Sequence, residues 1–177
     1  MRALGRGSVS SFLKVILDVF HVVLWILAAI ATLGVVLALL LSFRPDIISS
    51  HIDFNSINVE GPWLGPAAAA LLLIFDAYLA GGIVVVSRLR QIFKTLIDGD
   101  PFHPENANRL RVIGGALAIL ELGRYAVASV THAFLHGAIH VSGGVSLTTW
   151  FAVLVIFVLA EVFREGARLR GDAELTI

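Results

Sequence analysis

Four apolar runs, long enough to cross a lipid bilayer, constrain this chain more than any other feature. The hydrocarbon layer is about 30 Å thick and a helix rises about 1.5 Å per residue, so a spanning helix needs roughly 20 mostly apolar residues. The runs cover about 19–43, 65–86, 112–131 and 148–163. The last is the shortest and is expected to continue as helix through "REGARLR". Charged residues make up only 15% of the chain, against roughly 25% in soluble domains, too few to cover a water-soluble globule. The expected fold is an all-α integral membrane protein. It is one membrane domain, an antiparallel four-helix transmembrane bundle of two hairpins.

The first run follows "MRALGRGSVSSFLK", which has the basic character of a signal-peptide start. The run exceeds the 7–15 residues of a secretory apolar region and ends in "RPD" rather than a small-residue cleavage site. It is therefore expected to stay as the first span. Orientation follows the basic residues in the short flanks. Arg2, Arg6 and Lys14 precede the first run; Arg88, Arg90, Lys94, Arg109 and Arg111 lie between the second and third; Arg164, Arg168 and Arg170 follow the fourth. Only Arg44 lies between the first and second runs, and no Lys or Arg follows the third before the fourth begins. Both termini, the 87–111 loop and the 164–177 tail are expected in the cytoplasm, with outer loops at 44–64 and 132–147. Trp63 and Trp150 fall where outer-interface anchors belong. The first outer loop has the composition of a short strand or hairpin.

Three charges fall near the middle of the runs. Asp76 lies about 16 Å from the inner end of the second, and Glu121 and Arg124 lie about 15 and 20 Å from the inner end of the third. A charge at mid-bilayer costs about 2.5–3.5 kcal/mol on insertion scales, so these groups need partners. Glu121 and Arg124 share a helix face at i,i+3, and Asp76 is expected to approach them across the hairpin. One cation cannot neutralise two carboxylates, which leaves a proton, Tyr78, Tyr125 or a backbone group to satisfy the other. The cluster reads either as a clamp between spans or as a proton-linked or ligand-sensing site.

On the cytoplasmic side, Leu89, Ile92, Phe93 and Leu96 have helical spacing, so the second helix is expected to extend along the inner interface as an amphipathic stretch. "DGDP" breaks it, and Pro104 and Glu105 suit the first turn of a new helix. The segment "DGDPFHPENANRLRVIGGAL" and the terminal "LAEVFREGARLRGDAELTI" resemble the bacterial membrane family called domain of unknown function 2975. The matching positions are Pro101, Phe102, Asn106, Arg109, Leu110 and Arg111, then Glu161, Phe163, Arg164, Gly166, Arg168 and Leu169, and the tail Leu175, Thr176 and Ile177. Gly171 stands where the family often has an acidic residue. The resemblance implies four spans in the bacterial inner membrane. It also implies genes that often neighbour small Cro/repressor-type helix-turn-helix regulators. By that analogy Asn106, Arg109, Arg111, Glu161, Arg164 and Arg168 would face a cytoplasmic transcription regulator. Ordinary interfacial anchoring by inter-helix salt bridges is the competing account.

Three of the six histidines, His132, His136 and His140, recur every fourth residue. Such neighbours project about 40° apart and a pair can chelate one metal ion. His132 and His140 are roughly 12 Å apart along a straight helix, so one ion cannot take all three. A Zn²⁺, Cu²⁺ or Ni²⁺ site would use one pair with ligands from the first outer loop, such as Asp46, His51, Asp53 or Glu60. An external pH sensor and a plain wet helix end are the other readings. A bis-histidine haem is disfavoured because His21 lies toward the opposite end.

Cysteine is absent, which excludes disulfides, thiolate catalysis and zinc–thiolate sites. Zero formal net charge argues against direct nucleic-acid binding. No nucleophile–base pair or phosphate loop is readable, so an enzyme is not expected. The leading expectation is a sensory or regulatory membrane component. A small proton-coupled transporter built on Asp76, Glu121 and Arg124, and an accessory membrane subunit, are the alternatives; homo-oligomerisation is left open. Zinc titration of the detergent-solubilised protein separates the histidine readings. A metal site predicts one tight equivalent per chain, lost when His132 and His136 are both changed to Ala. Equal weak binding by both proteins leaves only the wet helix end.

Overall fold

The structure is a computed structural model that describes residues 9–42, 64–134 and 144–174, with side chains over 12–40, 69–129 and 144–173. The described residues form four long helices: α1 (Val9–Ser42), α2 (Leu64–Ile97), α3 (Pro104–Phe134) and α4 (Leu147–Glu174). All four are long and apolar enough to cross a membrane. Nearly all of the first outer loop, where a strand or hairpin is expected, lies outside the described residues.

Each helix outruns its apolar segment. With 34 residues each, α1 and α2 are about 51 Å long, well beyond the roughly 30 Å of hydrocarbon. α1 starts at Val9 because neither Pro nor Gly occurs between it and the apolar run. α2 runs unbroken through the amphipathic stretch, which therefore continues the spanning helix rather than forming a separate interfacial one. Pro104 opens α3 as expected, and α4 continues through "REGARLR" to Glu174.

The connection between α2 and α3 is tightly specified. Gly99 takes a φ of 84°, the left-handed conformation that costs a residue bearing Cβ about 1–2 kcal/mol. The Gly99 N–H donates to the Leu96 carbonyl and the Asp100 N–H to the Thr95 carbonyl, the paired bonds of a Schellman cap. His103 then caps α3. Its Nδ1 accepts from the Glu105 N–H at 3.3 Å, and its carbonyl accepts from the Asn106 N–H at 2.9 Å. Pro104, which has no N–H to satisfy, occupies the first helical position.

Packing is most extensive between α1 and α2 and between α3 and α4, and thinner between α2 and α3. In the first pair Asp18 meets Arg90, Thr32 meets Asp76 and Gly34 faces Leu72. In the last, Arg111 meets Glu161, Gly114 faces Phe157 and Tyr125 meets Trp150. Partner numbers fall along one helix as they rise along the other.

Alanines make up five of the eleven buried apolar residues with described side chains: Ala31, Ala69, Ala107, Ala128 and Ala160. In lipid, where apolar burial gives little drive, close backbone approach supplies dispersion instead. The outward faces carry Trp25, Ile26, Ile30, Leu33 and Leu37 on α1, and Phe151, Leu154, Val158 and Val162 on α4, all exposed. Such a surface suits acyl chains and not water, which makes this a multi-pass membrane protein.

Gly81 and Gly114 sit at two tight crossings, against Leu120 and Phe157. A Cβ on Gly81 would fall 2.6–2.9 Å from three atoms of Leu120, whereas one on Gly123 would meet nothing within 4 Å. Gly81→Leu is therefore expected to destabilise the protein by about 1–3 kcal/mol, and Gly123→Ala to leave it unchanged or slightly more stable. Thermal unfolding in detergent checks this, with Gly81→Ala in a Leu120→Ala background as the rescue.

Candidate functional site

Glu121 and Arg124 form the expected pair. Arg124 Nη2 donates to Glu121 Oε1 at 2.7 Å and Nε to Oε2 at 3.2 Å. Glu121 is buried, and both oxygens are thus committed to the guanidinium, a two-point geometry among the stronger charge-assisted arrangements. The Tyr125 hydroxyl, one turn on, adds a donor to Oε1 at 2.6 Å. The network then passes to α4: the Ser146 N–H and Trp150 Nε1 both donate to the Tyr125 oxygen at 3.2 Å, and Arg124 donates to the Gly144 carbonyl at 2.8 Å. Ser146 is itself the cap of α4, its Oγ accepting from the Thr149 N–H.

The structure does not bring Asp76 to this pair. Its Oδ2 accepts from the Thr32 hydroxyl of α1 at 2.9 Å. The expected charge clamp between α2 and α3 is replaced by two separate arrangements, one in α1–α2 and one in α3–α4. The reason is satisfaction in place. Glu121 already has a cation and a phenol, so no vacancy draws Asp76 across, and a hydroxyl on α1 lies nearer. Tyr78 donates to the Leu120 carbonyl at 3.3 Å, a backbone tie between α2 and α3.

A second polar assembly lies at the α2–α3 turn. Asn106 is 1% exposed. Its two amide N–H groups donate to Thr95 Oγ1 at 2.8 Å and to the Pro101 carbonyl at 3.1 Å, while its Oδ1 accepts from Arg109 Nη1 at 2.9 Å. The Thr95 hydroxyl can donate back to the Ile92 carbonyl at 2.8 Å. Arg109 also pairs with Glu105 and donates to the Gln91 carbonyl. Asn106 and Arg109 are therefore turned inward, unlike the partner-facing placement the sequence suggested, because a buried amide and a mostly buried guanidinium must be fully bonded.

The other half of the sequence pattern packs on this turn. The Phe102 ring lies 5.8 Å from that of Phe163 and fills the space a Cβ on Gly166 would need, 2.6 Å from the ring. Arg111 reaches Glu161 at 3.4 Å, Glu161 also pairs with Arg164, and Arg170 pairs with Asp100 of the turn. Arg168 holds Glu165 at 2.6 Å and lies 3.7 Å from Asp172. Arg111, Glu161, Arg164 and Arg168 are all exposed, so the assembly presents a mixed-charge surface beside the turn.

The backbone of α3 includes His132, but that side chain, together with His51, His136 and His140, lies outside the described residues, as does the end of the tail. No group of three or more potential metal ligands occurs among the described residues. Thr32, Thr95 and Asp100 are site residues that sequence reasoning did not select. Thr95 carried a local signal, a lone hydroxyl between Ile92 and Leu96; Thr32 and the Asp100–Arg170 pair carried none.

The family model described as Protein of unknown function (DUF2975) matches residues 49–177, which takes in α2, α3 and α4 but not α1. No curated protein and no solved structure matches the chain.

The Glu121–Arg124 geometry makes a graded prediction. Arg124→Leu leaves a buried carboxylate without its cation and is expected to lower Tm in detergent by several degrees. Arg124→Leu combined with Glu121→Gln removes both charges and keeps the Tyr125 donor, so it recovers part of that loss. Tryptophan fluorescence during melting, in a Trp25→Phe/Trp63→Phe background that leaves Trp150, gives the readout, and an unchanged Tm for Arg124→Leu would refute the assignment.

Proposed function

The chain belongs to the DUF2975 family, and from that premise we propose that it is a sensory or regulatory component of the bacterial inner membrane that engages a cytoplasmic regulator of the helix-turn-helix kind. In this reading the four helices form an antiparallel bundle with both termini in the cytoplasm. The turn after α2 and the exit of α4 then share the cytoplasmic end, as the concentration of Lys and Arg there requires.

The observation that carries the reading is the union of the two motif segments. Residues 100–111 and 161–170 are separate in sequence, yet Phe102 seats on Phe163 and Gly166 while Arg111 and Arg170 cross between the segments. A motif concerned only with insertion would need apolar length and flanking charge, not a specified contact between a turn and another helix. The buried members, Asn106 and Arg109, shape the surface; the exposed Arg111, Glu161, Arg164 and Arg168 are the groups a partner would read. Exposed charges of this kind govern partner choice and association rate more than affinity. The carrier alternative is less favoured, since its carboxylates are divided between two helix pairs and each is bonded locally.

The test is in-cell crosslinking followed by capture of the tagged protein from native membranes and mass spectrometric identification. A DNA-binding regulator is expected with the wild type and is expected to fall by about tenfold when Arg164 and Arg168 are both changed to Glu, a change of roughly 1.4 kcal/mol. Recovery of membrane subunits alone, or of the same regulator from control membranes lacking the protein, would sink the proposal.

A further inference from the structure

Between the end of α2 and the start of α3 the structure encloses an open cavity of about 670 Å³, within the size range of ligand sites. Its cations are Arg88, Lys94 and Arg109, and its carboxylates are Asp98, Asp100 and Glu105. The apparent balance disappears once the ion pairs are followed. Arg109 is committed to Glu105, and Asp100 to Arg170, which is outside the lining. Arg88 and Lys94 therefore face only Asp98, and the unspent charge of the cavity is positive. His103 also lines it, engaged through Nδ1 in capping α3.

Arg88 is unusual among the arginines with described side chains. Arg90, Arg109, Arg111, Arg124, Arg164, Arg168 and Arg170 each meet a carboxylate. Arg88 meets only the neutral Gln91 Oε1, at 3.1 Å, and its Nε is buried with no hydrogen-bond partner. A buried donor on a charged group costs free energy unless something accepts from it. Arg88 stands two residues beyond Val86, the last buried apolar residue of α2, where hydrocarbon gives way to headgroups. A guanidinium offers several N–H donors to phosphate oxygens and Lys adds a mobile point charge. Basic pockets between spanning helices at this level suit anionic headgroups.

We propose that this cavity binds a phosphate-bearing anion, with Arg88 and Lys94 as its cationic ligands. The group is either the phosphodiester of an anionic lipid in the adjoining leaflet or a soluble phospho compound. The site is independent of the regulatory reading above, since it requires neither a protein partner nor a particular orientation of the chain.

Native mass spectrometry of the full-length protein in uncharged maltoside detergent tests it, with dioctanoyl phosphatidylglycerol, inorganic phosphate and phosphate-free dioctanoylglycerol as probes. Wild type is expected to bind phosphatidylglycerol or phosphate, but not dioctanoylglycerol. Binding should weaken by at least about tenfold in R88Q/K94Q and stay unchanged in K14Q, a cation on α1 that does not line the cavity. Displacement of the lipid by millimolar phosphate assigns the site to a soluble anion; retention assigns it to the headgroup. Should R88Q/K94Q fail to fold, K94Q alone carries the test, because the Lys94 side chain is exposed and has no ion pair among the described residues to lose. Equal binding by wild type and variant, or no binding of either phosphate probe by wild type, overturns the proposal.

Discussion

The amide of Asn106 fixes one end of this molecule. It is buried, both of its N–H groups and its oxygen are bonded, and its partners come from α2, from the turn and from α3. A buried amide that lost one of these partners would carry an unsatisfied group costing about 1–3 kcal/mol, so the three segments hold one mutual position. The seat of Phe102 against α4 depends on that position, as does the pairing of Asp100 with Arg170. The cavity bounded by Arg88 and Lys94 depends on it too.

Charge inside the spans obeys a local rule. Both mid-span carboxylates are satisfied by a near neighbour in the same helix or in the helix it packs most closely: Asp76 by Thr32, Glu121 by Arg124 and Tyr125. The costs of burial are met within each helix pair, which leaves the thinner α2–α3 boundary to be held mainly by Gly81, the Tyr78 tie and the turn.

The fold was largely legible in the sequence because bilayer thickness converts composition directly into element length. The Glu121–Arg124 pair was legible because i,i+3 spacing on a known helix is nearly a distance measurement. Thr32 as the partner of Asp76 was not, since helix rotation about its own axis decides which residue faces α2, and apolar runs are hydrophobic on all sides and fix no rotation. The same blindness put Asn106 on the surface: polar residues at a helix start usually face water, and only the Schellman turn at Gly99 folds α2 back over it. The local charge pattern marked the exit of α4 as polar but said nothing of Asp100, whose partner is distant in the chain.

The uneven packing of the helices has a mechanical consequence. Two well-knit pairs joined by a thin seam, and bolted together at the turn, resemble the arms of a pair of tongs with its pivot at one end. A rigid tilt of about 10° between the arms would scarcely disturb the pivot but would part the far ends by roughly 5 Å across a 30 Å bilayer. Any opening of the seam is thus amplified on the side opposite the turn, and any clasp applied at the pivot governs a gap a full membrane thickness away.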